Sequence, residues 1–323
     1  MPKTNQIIKP RRLKAGQTIG IVAPASPPNE PESLRIAIET VESLGFRVKP
    51  APHLFDRAGY LAGEDAARAA DLNALFADDE VNAIFCARGG YGASRLLPLL
   101  NYEAIRAHPK IILGYSDITA LLLAIQHKTG LVTFHGPIAG QSFSAYTLAE
   151  FKKVLFSPAV PLSLGAAPAF EGGEGRVERT NRITMLAPGK AQGRLLGGNL
   201  SLVAHLTGTP YMPDLAGAIL FLEDVGEAAY SIDRMLTQLW LAGSLQQVAG
   251  IAFGKFSELR SSEWVQDRLL EDVLAERSRA LGIPTISGLM IGHVEDQTIL
   301  PLGCLAELDA GNCSLRLLEE AVS

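Results

Sequence analysis

The sequence predicts an α/β protein: an N-terminal open, mostly parallel sheet flanked by helices, and a smaller C-terminal α/β domain containing mixed or barrel-like strands. Three observations predict it. Short β-branched runs alternate with amphipathic stretches over the first 140 residues, the order that builds parallel sheets covered on both faces. From about Gln141 to Lys190 the chain turns rich in Gly, Ala and Pro and loses its periodicity. Beyond Ala191 strand-like and helix-like stretches resume, and the chain closes on short β-like pieces. The expected division is a first domain over 1–140, a crossover with some short strands over 141–190, and a second domain over 191–323.

"TIGIVAPA" reads as the first strand. "PESLRIAIETVESLGF" sets Leu34, Ile38, Val41 and Leu44 at helical spacing and stops at Gly45. "RVKP" is a strand, and "DAARAADLNALFAD" a helix with Leu72, Leu75 and Phe76 on one face. "VNAIFCARGG" is a strand ending in glycines, and "YGASRLLPLL" a short helix. "KIILGY", "DITALLLAIQHKTG" and "LVTFHGP" complete the alternation as strand, helix and strand. In the second half Asn199 or Ser201 caps a short helix through His205. "GAILFLEDVGE" is a strand, "YSIDRMLTQLWLAG" a helix stopped by Gly243, and "VAGIAFGKF" a strand. "SEWVQDRLLEDVLAERSRALG" is a long helix with Trp264 at its start; "PTISGLMIG", "TILPLG" and "CLAELDA" are the closing strands.

Composition excludes several classes. With 323 residues, 47% hydrophobic, and a net charge of −5, the chain has no basic stripe, so nucleic acid and anionic membranes are poor partners. No window approaches the about 18 apolar residues of a membrane span, and the basic N-terminus lacks a following apolar run, so cytosol is the expected compartment. Cys86, Cys304 and Cys313 are too widely spaced for a zinc site or a disulfide framework. Neither metal nor organic cofactor is expected.

In an open parallel sheet, ligands gather at the carboxyl ends of the strands. Those ends carry "PASPP", "ARGGYG", "GYSD" and "FHGP". Ser116 in "GYSD" sits where a buried strand turns into a helix, two residues after Gly114. That position is the usual one of a helix cap, and it also suits a nucleophile raised on a sharp turn. The pattern is half of G-x-S-x-G, since Ile118 stands at the second glycine.

Glu223 and Asp224 end the "ILFLED" strand and point to opposite faces by alternation, so at most one of them orients a histidine. His293, after Gly292, and His135 in "TFHGP" are rival general bases. Paired glycines in "CARGGYGASR" allow close backbone approach to a ligand.

The ordered set "GIVAPAS", "ARGGYGASRLL", "LGYSDITALLLA", "FHGP", "GRLLGGNLSLVAHLTGTP", "LFLEDVGEAAYSIDRML" and "GHVEDQTILPLG" resembles the LD-carboxypeptidase family of serine peptidases, which includes murein tetrapeptide carboxypeptidases and microcin C self-immunity proteins. The resemblance runs from about Ile19 to Leu308. It implies Ser116 as nucleophile, Glu223 as acidic member and His293 as base. It further implies an oxyanion hole from the amides of Gly89 or Gly90 and of Asp117, and a homodimer.

The implied reaction is release of the terminal D-alanine from the murein tetrapeptide, a small peptide substrate, in peptidoglycan recycling. Arg88, Tyr91 and Tyr115 are candidate substrate contacts, and Arg88, Arg234 and Lys255 candidate cations for the terminal carboxylate. Two other readings stand beside it. One is a microcin-immunity-type amidase, which calls for an aromatic side chain in a substrate loop; neither Trp240 nor Trp264 sits in an obvious one. The other is a binding module that captures a peptide or sugar without turnover.

Overall fold

The alternation over the first 135 residues builds the sheet it predicts. The computed structural model describes residues 6–323 apart from 29, 31, 158, 171, 173 and 262–267; Trp264 and the first part of the expected long helix lie outside them. Strands β1 (Thr18–Val22), β2 (Arg47–Pro50), β3 (Ala83–Cys86), β4 (Ile111–Gly114) and β5 (Thr133–His135) lie parallel in the order β2-β1-β3-β4-β5. β3, β4 and β5 are buried throughout, which explains their unbroken apolar character. Helices Glu32–Ser43, Asp65–Ala77 and Thr119–Thr129 connect them.

A second sheet contains β6 (Leu162–Leu164), β7 (Thr184–Ala187), β8 (Lys190–Asn199), β9 (Ile219–Val225), β10 (Gly250–Ser257) and β11 (Thr285–Ser287). β12 (Leu300–Leu302) follows, and β13 (Leu305–Asp309) and β14 (Ser314–Leu317) complete the second sheet, ordered β6-β14-β13-β8-β9-β10-β11-β7. β8 to β11 are parallel at its centre, and antiparallel strands flank them on both sides. Both sheets are therefore mixed, and the second is the wider.

Two features bear on the expected division and a third on an expected helix. β12 pairs antiparallel with β5, Leu300 opposite His135, so a strand from the last 25 residues closes an edge of the first sheet. The segment 141–190 is more than a crossover. It supplies both edge strands of the second sheet and a helix, Ala145–Leu155, whose Phe151 packs edge-on against Phe85 of β3. β8 begins at Lys190, and the strands before and after it share the second sheet. "ASRLLPL" forms a 3₁₀ turn, consistent with Pro98 inside it.

The short helix of the second half, Leu200–Leu206, is capped by Asn199, whose side chain accepts the Leu202 N–H. His205 stands exposed on it rather than packing inward.

Candidate active site

Ser116 follows β4 directly and adopts φ +64°, a left-handed conformation that non-glycine residues rarely take. Its hydroxyl caps nothing: neither the 3₁₀ turn Ser116–Ile118 nor the helix Thr119–Thr129 has a side-chain cap. A strained serine between a buried strand and a helix is the arrangement of a nucleophile elbow. The clearance comes from Gly114 alone. A side chain there would lie 3.0 Å from Ile118 Cγ2 and 3.2 Å from Cys86 Cβ, so the buried Ile118 fills the space over the glycine.

The "RGG" turn lies against this elbow. A Cβ on Gly89 would stand 2.9 Å from Ser116 Cβ and 3.4 Å from the Asp117 nitrogen. Gly90 has φ +106°, and among the described residues the N–H groups of Gly89 and Gly90 find no acceptor. Free backbone donors beside a serine hydroxyl are what an oxyanion hole requires.

Side chains that sequence reasoning missed hold this turn. The Arg68 guanidinium, fully buried, donates to the carbonyls of Pro24, Gly63 and Gly92 and pairs with Asp65. Ser26 Oγ accepts the Tyr91 N–H at 3.1 Å. The only advance signal was an arginine on the apolar face of its helix, which otherwise carries only Asp71 as a charged residue, at the fourth position of "DAARAADL".

Glu223 and His293 meet from separate elements of the second half. His293 Nδ1 and Glu223 Oε2 are 2.8 Å apart, with Glu223 wholly buried and His293 about a fifth exposed. An ionised carboxylate only accepts, so beside an ionised Glu223 the contact is made by the Nδ1–H tautomer. Burial pushes the Glu223 carboxyl above its usual range, and the His293 contact opposes that. Gly292, at φ +104°, makes the approach possible: a Cβ there would lie 2.8 Å from Glu223 Cβ.

Asp224 faces the other way, as strand alternation requires. It accepts hydrogen bonds from Asn199 Nδ2 and from the backbone and hydroxyl of Ser201.

Two contacts bring this pair to the elbow. Asn199, opposite Glu223 in the β8–β9 register, donates its N–H to Thr119 Oγ1, three residues past Ser116. The His293 ring packs on the Tyr115 ring, centroids 4.8 Å apart. The loop carrying His293 is fixed from the first half: Ser144 bonds Asp296, Thr147 bonds the Glu295 carbonyl, and Gln297 returns to the Gly292 carbonyl. Among the described residues Ser116 Oγ has no hydrogen-bond partner, so the histidine–carboxylate contact is made and the serine–histidine contact is not.

The rival base, His135, is fully buried, and burial pushes its pKa down to about 3. A group sealed off and neutral at ordinary pH is a poor proton acceptor for an exposed reaction. Cys86 is buried in β3 with its thiol pushed up, which makes it inert.

The candidate substrate residues disperse. Tyr91 is half exposed beside Tyr60, ring centroids 5.6 Å apart. Tyr115 is half-buried between His135 and His293. Arg88 donates to the Pro27 carbonyl, Arg234 lies over Tyr230, and Lys255 donates to the Thr180 carbonyl. No group of three or more His, Cys, Asp or Glu among the described residues is arranged to hold a metal. None of the described helices is long and apolar enough to cross a membrane.

Known protein families resemble the chain over most of its length. Residues 19–136 match the LD-carboxypeptidase N-terminal domain, and residues 192–308 the LD-carboxypeptidase C-terminal domain. The chain belongs to the LD-carboxypeptidase family. As a member it is a hydrolase, a serine peptidase.

Among its relatives, the probable murein peptide carboxypeptidase of Bacillus subtilis is 40% identical over 315 residues, 98% of this chain and 95% of that one. The Microcin C7 self-immunity protein MccF of Escherichia coli is 31% identical over 331 residues, 96% of each chain. Its solved apo structure superimposes with a TM-score of 0.85 at 29% identity, covering 98% of this chain and 100% of that one. The muramoyltetrapeptide carboxypeptidase of Oxalobacter formigenes superimposes at 0.77 and 31% identity, covering 93% and 98%.

Proposed function

We propose that this LD-carboxypeptidase family member releases D-alanine from L-Ala-γ-D-Glu-meso-diaminopimelyl-D-Ala, in the recycling of cell-wall peptides in the cytosol. The observation that carries the mechanism is the 2.8 Å contact of His293 Nδ1 with buried Glu223, which leaves Nε2 to exchange a proton with the strained Ser116 in this reading.

Nε2 takes the Ser116 proton as Oγ attacks the diaminopimelyl carbonyl carbon. The amides of Gly89 or Gly90 and of Asp117 receive the oxyanion, each donor worth about 3–4 kcal/mol to the transition state. Glu223 holds the imidazole tautomer and balances the imidazolium charge. His293 then protonates the D-alanine nitrogen as the C–N bond breaks. Water, deprotonated by His293 Nε2, attacks the acyl carbon, and Nε2 returns that proton to Ser116 Oγ as the ester bond breaks. All groups are side chains or amides of this chain, and no cofactor enters the scheme. The protein acts as a homodimer in this reading.

The murein substrate rests on the 40% identity to the Bacillus subtilis relative. The high similarity to MccF, whose solved complexes include aspartyl sulfamoyl adenosine, supports a second reading as an amidase on aminoacyl-nucleotide analogues. Parallel incubations with the tetrapeptide and with aspartyl sulfamoyl adenosine separate the two. Release of D-alanine that disappears in Ser116→Ala supports the first; turnover of the nucleotide alone replaces it with the second. Binding of either without turnover would make the site a capture module.

A further inference from the structure

Four aromatic rings stand in contact from the interior of the second sheet to the His293 loop. Phe221 packs on His135 with centroids 5.2 Å apart at 76°, His135 on Tyr115 at 6.0 Å and 71°, and Tyr115 on His293 at 4.8 Å and 59°. Phe221 lies two residues before Glu223 on the same face of β9, so the ring series and the carboxylate reach His293 from one origin. His293 is thereby held twice, at Nδ1 by Glu223 and on its ring face by Tyr115.

His135 is the unexplained member. It is wholly buried, and neither ring nitrogen has a hydrogen-bond partner. Orphaned buried polar atoms are rare and costly, and a phenyl ring would fill the same place without that cost. Both of its aromatic contacts are edge-to-face, the arrangement in which a polarised ring edge meets a π face. There an imidazole differs from a phenyl: it has a stronger positive edge at N–H.

We propose that His135 is a positioning residue that acts through Tyr115, fixing the ring against which His293 is set for its exchange with Ser116. This rests on His293 as the base. The backbone at His135 is held on both sides, paired with Gly114 of β4 on one and with Leu300 of β12 on the other. It therefore gives Tyr115 a fixed reference that does not belong to the His293 loop.

The test is a double-mutant cycle on the full chain with His135→Phe, Tyr115→Ala and the pair. His135→Phe keeps the volume and lowers kcat by about tenfold with KM within about twofold, a loss typical of misaligned reacting groups. The pair falls no further than Tyr115→Ala alone, because both act on one contact. Full kcat in His135→Phe, or losses that multiply in the pair, overturns the proposal.

A second measurement needs no substrate. The His293 side-chain NMR signals in wild type shift or broaden in His135→Phe and in Tyr115→Ala. Unchanged His293 signals overturn the ring series even if the peptide activity is present. Absent peptide activity with shifted signals leaves the ring series standing and removes the murein reading instead.

Discussion

The Asp117 carboxylate accepts the backbone N–H of Ala93 at 2.7 Å, tying the elbow residue next to Ser116 to the residue that follows the "RGGYG" turn. One residue thus offers its amide to the proposed oxyanion hole and uses its side chain to fix the turn bearing the other donor. Asp117 is almost fully buried, and burial pushes its carboxyl up to about 6 from 3.8, against the Ala93 bond and the Arg68 charge. The folded protein therefore binds a proton that the unfolded chain has lost between about pH 4 and pH 6. Stability falls as pH rises through that window and levels off above it, by about 2–3 kcal/mol. Asp117→Asn keeps an acceptor for Ala93 without the charge. Urea unfolding should find it more stable than wild type at pH 8, with the gain shrinking toward pH 4.

The strain at Ser116 predicts a separation of activity from stability. Ser116→Gly adopts φ +64° without strain, so it should unfold about 1 kcal/mol later than wild type while losing turnover. Thermal denaturation alongside an activity assay measures both. A less stable Ser116→Gly would mean that the hydroxyl contributes to the fold.

Glu223→Gln preserves shape but not charge. Turnover should fall by about 10²–10⁴, the loss expected when an imidazole loses its orienting carboxylate. The melting temperature at neutral pH should hold or rise, because the upward-shifted carboxyl indicates that burial costs the ionised form more than His293 returns. A fall in both quantities would make Glu223 chiefly structural.

Two glycines should tolerate no side chain. Gly89→Ala sets a methyl 2.9 Å from Ser116 Cβ and 3.1 Å from its Oγ. Steady-state kinetics should show kcat down by about a hundredfold or more through the displaced donor, with the fold intact by circular dichroism. Gly292→Ala forces a methyl against Glu223 in a left-handed backbone, so it should lose both activity and about 1–3 kcal/mol.

Much of this was legible in the sequence because the signals are local. Buried strands announce themselves by unbroken apolar runs, and "GYSD" marks a strand-to-helix turn at Ser116, where a cap and a nucleophile look alike until the other motifs are read with it. Alternation set Glu223 and Asp224 on opposite faces, and the family resemblance singled out Glu223. What stayed hidden depends on distant packing. Arg68 lies 48 residues before Ser116, and nothing in its own helix reveals three carbonyls converging on it. The helix Ala145–Leu155 carried signals of its own, Ser144 as cap and Phe151 and Val154 at helical spacing, which the surrounding glycines and prolines masked. The partner of β12 could not be read at all, since short apolar strands look alike whichever sheet receives them.

That last pairing bears on how the protein can be divided. β12 follows the His293 loop and covers β5, so the proposed catalytic histidine is strung between strands of two sheets. A fragment ending near residue 140 would carry the serine elbow but expose the whole edge of β5, an open template for aggregation. Reassembling activity from two expressed halves should therefore demand co-translation or co-refolding, and a cut placed in the 141–190 segment would sever the helix that anchors the histidine's loop.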